Sequence, residues 1–98
     1  MAKVARGEEV DVVTAECGST TTSGASTDVF VNGTGVHRQG DFNTLHSYGP
    51  LCVLEHSTSI IVGSTTVFVN NLGVAREGDL YTFGEIVNSG SDNVFAGD

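Results

Sequence analysis

One stretch of this chain occurs twice. Residues 26–41 align without gaps on residues 64–79, and eleven of the sixteen positions are identical. Two partial copies flank them. Near the C-terminus, Gly90, Ser91, Val94 and Phe95 repeat the opening of the unit, Gly63, Ser64, Val67 and Phe68, while Val4-Ala5-Arg6 near the N-terminus echoes Val74-Ala75-Arg76. The chain therefore carries about three copies, one of them divided between its two ends. A unit this short cannot bury an apolar face alone, so the copies must pack against one another.

Each copy reads as a β-hairpin. Val29, Phe30 and Val31 form a short β-branched and aromatic run before Asn32-Gly33, and Val67, Phe68 and Val69 do the same before Asn70-Asn71. Asn-Gly is a strong two-residue hairpin signal because both central residues must accept positive φ. A returning strand then passes through Val36 or Val74 and ends at a Gly-Asp corner, Gly40-Asp41 or Gly78-Asp79. Thirteen glycines, one proline and many Ser, Thr and Val residues disfavour helix throughout. The expected fold is all-β: a small pseudo-threefold body of three hairpin repeats, closed about a shared axis so that no strand edge stays open, and tapering away from the hairpins.

At 98 residues the chain has room for one core, and a single domain over 1–98 with no appended effector domain is expected. Twelve Asp and Glu against four Lys and Arg give a formal charge of −8, which repels phosphate backbones and argues against a nucleic-acid partner. No continuous apolar segment near the N-terminus marks a signal peptide, and no window is long enough to span a bilayer. Glu8, Glu9, Asp11 and Glu16 are expected on a solvated face.

The residues able to hold a metal cluster in one place. The segment between Asp41 and Ser64 has eleven more residues than its counterpart between Asp79 and Ser91, and this insertion holds His46, Cys52 and His56. Zinc takes four thiolate or imidazole ligands, and Cys52-x3-His56 has a spacing that lets two ligands converge. Cys17 is the fourth candidate. It lies nine residues before Ser26, as His56 lies eight before Ser64 and Phe83 eight before Ser91, so these three side chains should meet on the axis with the Phe83 ring as a cap. The expected set is Cys17, His46, Cys52 and His56 around one structural ion, zinc or alternatively iron. A Cys17–Cys52 disulfide is the competing reading. His37 takes the place of Ala75 and is expected to be structural, although ligation in place of a cysteine stays open. No Gly-x-Ser-x-Gly elbow, phosphate-binding loop or His-Glu-x-x-His helix is present, so no enzyme is expected.

The pattern Gly-Ser-x-x-Val-Phe-Val-Asn-x-x-x-Val-x-Arg-x-Gly-Asp, its His/Cys cluster and the closing Gly-Ser-x-x-Val-Phe-Ala-Gly together resemble the PAAR-repeat family over nearly the whole chain. Gly35-Val36-His37-Arg38 and Gly73-Val74-Ala75-Arg76 stand where the family's name has Pro-Ala-Ala-Arg. The resemblance implies a conical tip on a trimeric β-helical spike of a contractile phage tail or type VI secretion system, with a metal stapling the point. One tip, monomeric when free, would cap three spike chains through a base of Val29, Phe30, Val31, Val67, Phe68, Val69, Val94 and Phe95. It would penetrate a bacterial envelope without residing in a membrane, from a virion tail tip or a cytoplasmic spike before firing. The alternative is a free-standing metal-stabilised β module that binds a soluble partner or glycan.

Overall fold

The computed structural model of the chain describes residues 1–97, a body of 38 × 23 × 23 Å that is all-β apart from one 3-10 turn. The strands are β1 (Ala2–Lys3), β2 (Val12–Ala15), β3 (Gly18–Thr21), β4 (Phe30–Val31), β5 (Thr34–Gly35), β6 (His46–Tyr48), β7 (Leu54–His56), β8 (Phe68–Val69), β9 (Leu72–Gly73), β10 (Ile86–Val87) and β11 (Phe95–Ala96). Two hairpins form as the repeat predicts. In β4–β5, Phe30 faces Gly35 and Val31 faces Thr34; in β8–β9, Phe68 faces Gly73 and Val69 faces Leu72. Their turn residues Asn32, Gly33, Asn70 and Asn71 all have positive φ, between 54° and 79°. The third hairpin joins the chain ends, with β11 on β1 in the same register: Phe95 faces Lys3 and Ala96 faces Ala2.

Beneath the hairpins the three returning segments bond to one another in a closed cycle. The Ala5 N–H donates to Ala75 O at 2.9 Å, Ala75 N–H to His37 O at 2.9 Å, and His37 N–H to Ala5 O at 3.1 Å. Isolated bridges Val4–Arg76, Arg38–Val74 and Arg6–Val36 repeat the cycle one residue out. Each segment then turns at an Arg-Asp corner. The backbone N–H and the guanidinium of Arg6, Arg38 and Arg76 all donate to Asp11, Asp41 and Asp79 respectively, at 2.7–3.2 Å. Beyond the corners the strands pair around the body, Val13 with Val87, Thr22 with Asn43, and Ile60 with Tyr81, so every copy is bonded to both neighbours. Val4, Val36, Val69, Val74 and Ala96 pack under the hairpins; Ala5, Val13, Ile60, Ala75, Tyr81 and Val87 pack below them.

Two expectations need correction, and the buried place of His37 fits the structural role expected of it. Asp11 is fully buried and is not part of a solvated face, because Arg6 and the Ser89 hydroxyl take up its carboxylate; Glu8, Glu9 and Glu16 are exposed. Val31, Val69 and Val94 belong to the core or pack on it, since alternation along a strand sends them inward while Phe30, Phe68 and Phe95 point out. His37 is buried at the cycle, with Nδ1 2.7 Å from Gly24 O and Nε2 2.8 Å from the Tyr81 hydroxyl. The neutral ring satisfies both, donating from Nδ1 and accepting from Tyr81 at Nε2, so this histidine is structural.

These buried groups make stability sensitive to pH and to charge. Burial holds the His37 pKa below 6.5, outweighing the Gly24 carbonyl and the Asp41 and Asp11 charges that would raise it, while Arg38 adds to the depression. The contribution of neutral His37 to stability is then complete above about pH 6.5 and is lost as the pH falls toward the folded-state value. NMR should find its ring titrating below the ordinary histidine value, and Tyr81→Phe, which strips Nε2 of its donor, should cost about 1–3 kcal/mol in urea unfolding. Among the three corners, Asp11→Asn should cost most, about 3 kcal/mol. Asp41→Asn and Asp79→Asn should cost less, because those carboxylates keep 13% and 12% exposure against 1% for Asp11.

Candidate metal centre

The insertion between Asp41 and Ser64 forms the antiparallel pair β6–β7, closed by the 3-10 turn Pro50–Cys52. His46 and His56 are direct partners in this pair, which places both side chains on one face. Opposite them, the turn Thr82–Gly84 leads into β10 and delivers Glu85, which is 4% exposed. Its Oε2 lies 2.8 Å from His46 Nε2 and 3.1 Å from His56 Nε2. One donor atom from each of the three residues falls within 4.8 Å of the others.

Hydrogen-bond bookkeeping singles this cluster out. His46 Nδ1 is 2.8 Å from Thr44 O, an obligate acceptor, so Nδ1 carries a proton. Nε2 then faces the Glu85 carboxylate, a second acceptor, and something cationic must lie between them: a second proton or a metal ion. An N–H held by a backbone carbonyl on one side, with the free nitrogen aimed at a site, is the usual outer support of a ligating histidine. Burial alone would raise the pKa of Glu85, but its own backbone N–H, His46 and Thr58 outweigh burial and hold it below the usual carboxylate value. Its Oε1 is buried with no hydrogen-bond partner at bonding geometry. Two imidazoles and a carboxylate converging with spare lone pairs fit a divalent cation such as zinc or iron.

Aromatic rings wall the site. Tyr48 stacks on His56 with ring centroids 3.7 Å apart, and the Phe83 ring stands edge-on to His56 at 4.7 Å. Phe83 thus lies where the repeat alignment expects it, beside His56, and is 68% exposed on its outer face. The three donors border a cavity of about 400 Å³ together with Tyr48, Phe83 and Glu16.

The cysteines are the correction. Cys17, in the β2–β3 turn, and Cys52, in the 3-10 turn, form a disulfide with Cα atoms 5.9 Å apart, so neither offers a thiolate to a metal. Of the four expected ligands the fold brings together His46 and His56 and diverts the two cysteines to a crosslink spanning 35 residues. In the chain-entropy picture such a loop contributes about 4 kcal/mol. Glu85 is the candidate ligand that motif reasoning missed. Its counterpart one copy earlier is Thr58, six residues before Ser64 as Glu85 is six before Ser91, and a lone carboxylate replacing a hydroxyl at that position was the available signal.

These roles separate in one experiment. Zinc titration of the oxidised protein should give one equivalent bound, retained by a Cys17→Ser/Cys52→Ser double variant and weakened about 10–100-fold or lost by Glu85→Gln or His56→Ala. If the double variant instead loses the metal, the cysteines are ligands after all.

No curated protein matches the chain at a significant level. A family model described as the PAAR motif matches residues 11–87, a span that runs from the Asp11 corner through all three donors to the end of β10. The chain belongs to the PAAR-motif family.

Proposed function

We propose that this protein is the tip of a contractile injection spike, capping a trimeric β-helical shaft through its hairpin end and held at the other end by a metal ion on His46, His56 and Glu85. The observation that carries the reading is the equivalence of the three hairpins. Phe30, Phe68 and Phe95 occupy the same register position in their pairs and are 56%, 58% and 44% exposed. A shaft of three identical chains ends in three identical sets of strand edges, and a single chain can cover them only by presenting three similar surfaces. The bonded cycle of Ala5, His37 and Ala75 is what gives one polypeptide that property.

Polar groups reinforce the hairpin end. Asn70 Oδ1 accepts from Arg38 and from the Ser26 hydroxyl, and Asn32 Oδ1 accepts likewise from Arg6 and the Ser91 hydroxyl. Each of these two hairpins is thus tied to another copy, so the phenylalanines sit on a frame that resists shear. Away from the hairpins the Cys17–Cys52 disulfide and the candidate metal triad supply crosslinks between turns and strands. A bound ion would serve as a structural cross-brace between β6, β7 and the segment that leads into β10. Whether the device is a phage tail or a secretion spike, the mechanical requirement is the same.

Native mass spectrometry with a trimeric β-helical spike tests this. One tip per three spike chains is expected. Each of Phe30→Ala, Phe68→Ala and Phe95→Ala should weaken capping by about 1–2 kcal/mol, since each ring is already half buried in the free protein. A 3:3 complex, or capping indifferent to all three, would overturn the reading.

A further inference from the structure

The metal triad is incomplete, and what it lacks has an address. Among the described residues His46, His56 and Glu85 are the only His, Cys, Asp or Glu side chains clustered there, whereas zinc and iron take at least four donors. The two cysteines are committed to each other. Three protein ligands beside a solvent-filled space is the arrangement that leaves a coordination position for an outside molecule. Here the three donors themselves form part of the wall of the roughly 400 Å³ cavity, so the fourth position has a space to open into.

The rest of that wall selects among ligands. Tyr48 and Phe83 present aromatic surface, which favours a planar ring. Charge discriminates further: a divalent ion is offset by Glu85 and by Glu16 of the same wall, and the whole chain carries −8, so an incoming anion gains little attraction while a neutral donor loses none. The Oε1 atom of Glu16 accepts from the Gly49 N–H at 2.9 Å, which ties this carboxylate to the turn before Pro50.

We propose that the cavity beside His46, His56 and Glu85 is a binding site for a small neutral nitrogen heterocycle of the imidazole class, such as a histidine side chain, which completes the coordination of the ion. The inference rests on the metal reading above and extends it from a closed brace to an open, ligand-accepting centre.

Cobalt(II) in place of zinc gives visible bands that report a change of donor. The oxidised protein, shown to be free of reactive thiol, is loaded with one equivalent of cobalt(II) and titrated with imidazole, then with azide and acetate, while protein-bound cobalt is followed by gel filtration. The expected result is a saturable spectral change with imidazole, cobalt retained, and azide and acetate weaker by about tenfold or more. Phe83→Ala should keep the cobalt stoichiometry and weaken imidazole about threefold or more. Bound cobalt whose spectrum imidazole leaves unchanged, imidazole that only strips the cobalt, or anions binding as tightly as imidazole would each overturn the ligand site and leave the metal reading standing. Failure of the protein to retain cobalt or zinc at all would remove both.

Discussion

The fold depends on a cycle of three backbone hydrogen bonds. Ala5, Ala75 and His37 each donate to the next, so three segments far apart in sequence are each bonded to both of the others. Two strands side by side always leave outer edges; a cycle leaves none. The hairpins above it and the strand pairs below it inherit their arrangement from this closure. Alanine occupies two of the three positions of the cycle. The third is filled by a histidine whose ring finds acceptor and donor in Gly24 O and the Tyr81 hydroxyl.

The Arg-Asp corners translate the cycle into a body with two different ends. At each corner one aspartate accepts both from the arginine backbone and from its guanidinium, so the chain is bent and the side chain is held in the same set of bonds. Above the corners the three copies stay nearly equivalent, and their exposed phenylalanines mark a surface suited to a threefold partner. Below them the copies diverge: one contributes a disulfide-linked turn, one the long β6–β7 pair, and one the short turn carrying Phe83 and Glu85. Symmetry is kept at the hairpin end, and the chemistry-bearing side chains are gathered where the copies diverge.

An open metal centre would place a ligand-binding function on that divergent end without disturbing the scaffold. Glu85, rather than a cysteine, is the reason. A carboxylate shared by two imidazoles gathers three donors against a cavity wall, and the thiols that could have closed the coordination sphere crosslink the neighbouring turns.

Short-range patterns in the amino-acid sequence account for the hairpins. The likeness of residues 26–41 to 64–79, the Asn turns and the β-branched runs determined their positions, their number and the splitting of one across the termini, because turn geometry and strand alternation act over a few residues. The repeat alignment set Phe83 beside His56, and one insertion gathered His46 and His56. Which valines face inward, that Asp11 is buried, that Cys17 reaches Cys52, and that Glu85 joins the histidines were decided by tertiary structure. Most of these depend on segments brought together from dozens of residues apart, and spacing along a chain carries no record of which donor another copy will place across the axis.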